Sequence, residues 1–214
     1  MHNAFLFPGQ GSQYVGMGED LYRASSSVQN IYHSASDILG FNLQEISFIG
    51  PENKLQETQF TQSAIFVHSV IVDNYLKGKD INPDTVAGHS LGEFSALVSA
   101  SVLTFENALK VVKIRSAEMA NADKTTPGTM AAILGAEDNQ LEIICNQDGI
   151  VVPANINAPG QIVISGEENA IEDAIKTAQD IGIRRALKLN VSGAFHSPLM
   201  APVREPLLEI INSV

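Results

Sequence analysis

The sequence contains no tryptophan, a single cysteine, and aromatic residues at only 6% of positions. One cysteine cannot close an internal disulfide. Cys145 also follows the apolar, helix-like run Leu141-Glu142-Ile143-Ile144, so it reads as a small core residue rather than a nucleophile. Long hydrophobic runs are missing too: no stretch approaches the ~20 apolar residues that span a bilayer. The N-terminus enters a strand-like segment without a basic leader, so the chain reads as soluble and cytoplasmic, with no membrane partner. The five histidines show no paired ligand spacing, which gives no support to a metal site. Basic residues are scarce: thirteen Lys and Arg stand against twenty-four Asp and Glu, a formal charge of −11. Such a surface repels nucleic acid and anionic membranes, and any anionic partner must meet a local basic patch. Solubility alone also accounts for an acidic excess. No internal repeat or low-complexity tract is visible.

With 214 residues and 44% apolar content, the chain is long enough to bury a core, as one domain or one domain with a smaller lobe. Ala4 to Phe7 is a short apolar run stopped by Pro8-Gly9, the pattern of a buried strand ending in a turn. A loop holding Gly9, Gly11, Gly16 and Gly18 follows. Residues 62–76 are apolar almost all round and predict a buried helix, with His68 packed inside it. Asp84 to Gly88 predicts a strand. Leu91, Phe94, Leu97, Val98 and Val102 then recur at helical spacing. A helix over 104–120 follows, with Thr104 as N-cap, and residues 121–128 read as a turn-rich linker. Beyond it the order is strand (Met130 to Leu134), helix (Asn139 to Cys145), two strands (Val151 to Ile156, Gln161 to Ser165), helix (Glu168 to Ile181) and strand (Arg184 to Asn190). This β-α-β-β-α-β succession predicts a ferredoxin-like lobe over residues 124–190, inserted into an α/β body formed by residues 1–123 and 191–214.

Gly88-His89-Ser90-Leu91-Gly92 falls between a predicted strand and a predicted helix. There a serine sits in a strained turn that lifts its Oγ out of the sheet, and flanking glycines supply the room. The next backbone N–H, that of Leu91, points from the helix N-terminus toward the oxygen of a bound acyl group. A purely structural glycine turn is the alternative. A serine hydroxyl needs a base. His2 is terminal, His33 lies in a polar helical stretch and His68 in a core helix, while the turn aims His89 away from Oγ. His196, in the loop Val191 to Pro198, is the favoured base. The first glycine-rich loop fails as a phosphate cradle: Met17 stands where a Walker pattern needs Lys, and Tyr14 where a dinucleotide pattern needs Gly. It does place Gln10 after a strand end, in the kind of crevice where α/β sheets gather ligands. Arg115 lies on the apolar face marked by Ala108, Val111, Val112 and Met119, where a guanidinium needs an anionic partner. A snorkelling arginine or an internal salt bridge would also fit.

Jointly, Phe7-Pro-Gly-Gln-Gly-Ser-Gln13 with Gly16-Met-Gly18, Thr61-Gln-Ser-Ala64, Gly88-His-Ser-Leu-Gly-Glu93, Arg115, Asn157-Ala-Pro-Gly-Gln-Ile-Val-Ile-Ser-Gly166 and Ala194-Phe-His-Ser197 resemble a known family. It is that of the malonyl-CoA:acyl carrier protein transacylases and the related acyltransferase domains of fatty acid and polyketide synthases. The resemblance implies an α/β-hydrolase-like body carrying the ferredoxin-like lobe. It implies Ser90 as nucleophile, His196 as base, and the backbone N–H groups of Gln10 and Leu91 as oxyanion hole. It further implies that Gln62 and His89 line the pocket, that Arg115 grips the malonyl carboxylate, and that Phe195 crowds a branched methylmalonyl group. Malonyl-CoA is then a substrate rather than a resident cofactor, and an acyl carrier protein is the acceptor and partner. Lys176, Arg184, Arg185 and Lys188 are candidate contacts for that acidic partner, or a merely solvated face. A serine acyl-thioester hydrolase is the rival activity. Because family members continue past the position of Val214, the C-terminal part of the body is expected to be absent, which leaves a catalytically impaired fragment as a further alternative.

Overall fold

The computed structural model describes residues 2–191 and 193–214; Met1 and Ser192, the latter within the predicted base loop, lie outside the described residues. In chain order the elements are β1 (Ala4–Phe7), α1 (Glu19–Ala24), α2 (Ser26–Leu39), a π-helical turn (Glu45–Ile49), α3 (Glu52–Leu55), α4 (Thr58–Lys77), β2 (Thr85–Gly88), α5 (Gly92–Ser99) and α6 (Phe105–Thr125). There follow β3 (Gly128–Leu134), α7 (Asp138–Cys145), β4 (Val151–Ala158), β5 (Gln161–Glu167), α8 (Glu168–Asp180), β6 (Arg185–Lys188), a 3₁₀ turn (Pro198–Val203) and α9 (Arg204–Asn212). The chain is an α/β protein of two compact units, Met1–Ala117 with Leu207–Val214, and Glu118–Pro206. Among the described residues, no helix is long and apolar enough to cross a membrane.

In the first unit β1 pairs with β2 in parallel, from Ala4 against Thr85 to Phe7 against Gly88. Side chains alternate across such a pair, so Phe7 is buried while Leu6 is 77% exposed on the opposite face. The reading of β1 as a buried strand therefore holds for one face only. Among the described residues this sheet has just two strands, and nothing in it covers Leu6. The unit's core is instead helical, with Tyr32, Leu43, Ile65, Phe66, Ile71 and Leu109 fully buried. The predicted all-round apolar helix is α4, one turn longer at its N-terminal end than expected. His68 is only half buried on it, and burial pulls its pKa below the ordinary value of 6.5, offset in part by Asp20. Asp73, also on α4 and 2% exposed, bonds Lys77 Nζ at 2.8 Å and accepts from Ser99 Oγ at 2.7 Å. That network ties α4 to the end of α5.

Two helix boundaries differ from expectation. α5 stops at Ser99, so Val102 is outside it and 64% exposed. Ser101 adopts the left-handed conformation at φ 59°, and the N–H groups of Ser101 and Val102 return to the carbonyls of Val98 and Leu97. These paired bonds satisfy the last carbonyls and end the helix in a Schellman arrangement. Conversely, α6 runs to Thr125, through most of the segment expected to be a linker. Met119 and Ala122 keep an apolar face going at i, i+3 spacing, and Pro127 sets the stop. At its start, Thr104 Oγ1 accepts from the N–H of Asn107 at 3.2 Å, the N-cap bond foreseen in the sequence.

The second unit is a four-stranded sheet in the order β4-β5-β3-β6, with every neighbouring pair antiparallel. Ala170, Ile171, Ala174 and Ala178 form one stripe of α8 and pack with Ile133, Ile144, Ile162 and Ile164. Met130 and Val163 face the other way, into a cluster with Met119, Ala122, Phe195 and Val203.

Candidate active site

The turn between β2 and α5 is built by backbone contacts. The N–H of His89 bonds Phe7 O at 3.0 Å, and that of Gly92 bonds His89 O at 3.0 Å. A Cβ on Gly88 would lie 2.0 Å from Gly92 C, and one on Gly92 would lie 2.1 Å from Phe7 O, so no side chain fits at either position. Between them Ser90 holds φ 53°, a left-handed backbone that costs a non-glycine residue about 1–2 kcal/mol. Gly9 brings the first glycine-rich loop against this turn, since a Cβ there would stand 2.6 Å from His89 O and 2.9 Å from His89 Nδ1. Gln10 follows, its Nε2 donating to Thr58 Oγ1 at 3.3 Å. His89 is exposed, and its ring nitrogen faces Gly9.

Arg115 reaches the turn from α6. Its Nη1 donates to Gln62 Oε1 at 2.6 Å and its Nη2 to Ser90 Oγ at 3.0 Å, while Cζ sits 5.7 Å from the centroid of the Phe94 ring. The side chain is 8% exposed. Burial pushes its pKa down to about 10, against the opposing field of Glu93, so it is a cation at neutral pH. Neither alternative for this residue is seen: it does not snorkel to solvent, and among the described residues it makes no salt bridge. Of its five N–H donors two are engaged among the described residues, which leaves a buried positive fork able to take a carboxylate beside a serine oxygen.

His196 and Phe195 belong to the second unit. His196 is exposed and left-handed at φ 60°, in a turn closed by Ser197 Oγ, which donates to Ala194 O at 2.7 Å and accepts from the N–H of Leu199 at 3.2 Å. Phe195 is buried among Met119, Ala122, Met130, Val163 and Val203, so most of its ring serves that cluster. Of the basic candidates for carrier contact, Lys188 bonds Glu168 and Glu172, and Lys176 bonds Asp173. Among the described residues no group of three or more His, Cys, Asp or Glu could hold a metal ion. Three neighbours of the site were not predicted as site residues: Thr58, Glu93, which entered only as the end of the serine motif, and Phe94, which entered only through its helical spacing. Phe94 had a signal there: it follows the serine motif directly, in the first turn of the helix that begins at Gly92.

A serine lifted on a strand-turn-helix, with a buried cation against its oxygen, is chemically suited to carrying an acyl group. The chain belongs to the acyl transferase domain family, whose model matches residues 4–214. It is similar to malonyl CoA-acyl carrier protein transacylases. The malonyl CoA-acyl carrier protein transacylase of Staphylococcus aureus (strain COL) is 44% identical over 213 residues, 98% of this chain and 68% of that protein. The solved structure of the corresponding transacylase from Coxiella burnetii superposes with a TM-score of 0.94 at 37% identity, over 99% of this chain and 68% of that one. A second solved structure, of a malonyl-transacylase in complex with a type II polyketide synthase acyl carrier protein, gives 0.94 at 38% identity, over 100% and 71%.

Proposed function

We propose that this chain transfers a malonyl group from malonyl-CoA to the phosphopantetheine thiol of an acyl carrier protein, through an ester on Ser90. The observation that carries this reading is the buried guanidinium of Arg115, bonded to both Gln62 and Ser90 Oγ. The similarity to named transacylases, and to one in complex with a carrier protein, supports the same activity.

In the first half-reaction His196 takes the Ser90 proton, and Oγ forms a bond to the thioester carbon. The carbonyl oxygen becomes an oxyanion held by the backbone N–H groups of Leu91 and Gln10. The C–S bond then breaks, the proton passes from His196 to the departing CoA sulfur, and a malonyl-serine ester remains. The carrier thiol reverses these steps: His196 takes its proton, sulfur attacks the ester carbon, and Ser90 leaves and recovers a proton. Throughout, the malonyl carboxylate rests on Arg115, whose planar fork gives two parallel bonds that a lysine could not reproduce. Gln62 steadies that fork, and His89 lines the pocket. Phe195 sets the preference for unbranched malonyl, a methyl being worth about 1–3 kcal/mol in such a pocket. Malonyl-CoA enters as substrate, and the scheme uses no resident cofactor.

The finer architecture belongs to the same proposal. The first unit is an α/β-hydrolase-like body. The second is a ferredoxin-like lobe, a reading supported by its β-α-β-β-α-β succession and strand order. The site of action is the cytoplasm. Arg184 and Arg185 are the stronger carrier contacts, because Lys176 and Lys188 are committed to neighbouring carboxylates. The rival reading as a hydrolase of neutral acyl groups, with water as acceptor, gives Arg115 no role.

Brief exposure to malonyl-CoA followed by mass spectrometry tests the scheme. A malonyl adduct appears on Ser90 in the unsubstituted protein and is lost in Ser90→Ala. Arg115→Ala lowers malonyl transfer far more than acetyl transfer, and equal losses would remove the carboxylate role.

A further inference from the structure

We infer that Phe94 is a positioning residue for Arg115, fixing the plane of its guanidinium and thereby the preference for acyl groups that end in a carboxylate. The inference rests on the carboxylate-gripping role proposed for Arg115. Its basis is the way the cation is held. Among the described residues the guanidinium makes two hydrogen bonds, Nη1 donating to Gln62 Oε1 and Nη2 to Ser90 Oγ. Restraint at the two terminal nitrogens leaves the group free to tilt about the line joining them. A bidentate carboxylate contact is planar, so a tilted fork offers one good bond in place of two.

Phe94 supplies the missing restraint. Its ring centroid lies 5.7 Å from Arg115 Cζ, within the range of a cation–π contact, and the negative face of the ring opposes tilting. Arg115 is 8% exposed and Phe94 partly buried, and cation–π contacts strengthen as they lose water. The placement follows from the local fold. The turn that lifts Ser90 starts α5 at Gly92, and Phe94 sits in the first turn of that helix, four residues after the serine.

The ring also holds the cation at the stage where another restraint weakens. Once Ser90 carries an acyl group, its Oγ is an ester oxygen and a poor acceptor, so the bond from Nη2 is lost. Gln62 and Phe94 then retain Arg115 while the carboxylate occupies the released donor. Phe94 packs against the first unit's core as well, so a test must separate the aromatic face from apolar volume.

The measurement is the ratio of kcat/KM for malonyl-CoA to that for acetyl-CoA, the latter a probe with no carboxylate. Phe94→Leu and Phe94→Met keep apolar bulk and remove the ring; Phe94→Tyr keeps the ring. The ringless variants lower the ratio about tenfold, and Phe94→Tyr restores it to within about twofold of the unsubstituted protein. A ratio unchanged in both ringless variants, or the same fall in Phe94→Tyr, overturns the inference. Two ringless substitutions keep the test available should one fail to fold. Arg115→Ala is the reference: if it leaves the ratio unchanged, the carboxylate role itself fails; if it collapses the ratio and the ringless variants do not, only the role of Phe94 falls.

Discussion

Ser90 stores backbone strain, and its cost can be measured by changing one carbon atom. At φ 53° its Cβ crowds the following carbonyl, a penalty of about 1–2 kcal/mol for an L-residue. Ser90→Ala and Ser90→Gly both delete the hydroxyl, and both leave Arg115 Nη2 without its partner at 3.0 Å, so those effects cancel between them. They differ in Cβ alone. Glycine escapes the steric penalty but loses about 0.5–1 kcal/mol more conformational entropy on folding. The balance makes Ser90→Gly more stable than Ser90→Ala by roughly 0.5–1 kcal/mol, about 1–4 °C in Tm for a chain of this size. Differential scanning calorimetry of the two variants, side by side, gives the difference, and mass spectrometry checks that neither takes up malonyl. A Ser90→Gly variant equal to or less stable than Ser90→Ala would refute the claim that the turn is strained. The neighbouring backbone cannot relax to absorb the strain, because Gly88 and Gly92 approach main-chain atoms at distances no side chain could share.

Two other groups have measurable consequences for stability. Asp73→Ala removes the acceptor of Ser99 Oγ and the counter-charge of Lys77, and costs about 2–3 kcal/mol by urea denaturation. A loss below half that figure would mean that the network contributes little. His68 has its pKa lowered by burial, so below pH 6.5 the unfolded chain binds a proton that the folded chain resists. Stability from this group is complete above pH 6.5 and is lost as pH falls toward the lower folded value. His68→Gln flattens the decline over that window, and an unaltered slope in Tm against pH counts against burial as the cause.

What the sequence revealed, and what it concealed, follows from the range of the interactions involved. The serine turn was legible because its requirements are local: two glycines, a strand before and a helix after. The order of elements in the second unit was legible because they are short and separated by turn signals, and because strands and helices alternate with distinct periods. Arg115 was legible as a cation on an apolar face, through the i−3, i−4 and i+4 positions of one helix. Its partners were less so, since Gln62 lies 53 residues away and is joined to it only in three dimensions. The end of α6 was misplaced because Asn121, Asp123 and Lys124 read as loop, while the burial of Met119 and Ala122 that holds the helix together is a tertiary effect. α5 ended early for the opposite reason: Val102 continues the apolar spacing, but a left-handed serine turns the chain away before it.

The uncovered face of β1 and β2 bears on how the protein must be handled. Among the described residues, a sheet of two parallel strands with a leucine 77% exposed on its face offers a template for another chain, the arrangement natural sheets blunt with charge. In a preparation confined to residues 1–214, self-association should therefore rise with protein concentration and with sulfate, which strengthens apolar contact, and fall in dilute, low-salt buffer. Sedimentation velocity across a dilution series would register it as a drift toward heavier species. Leu6→Lys, a single change on the outward side of β1, should keep the boundary in place while leaving Phe7 and the Ser90 turn undisturbed.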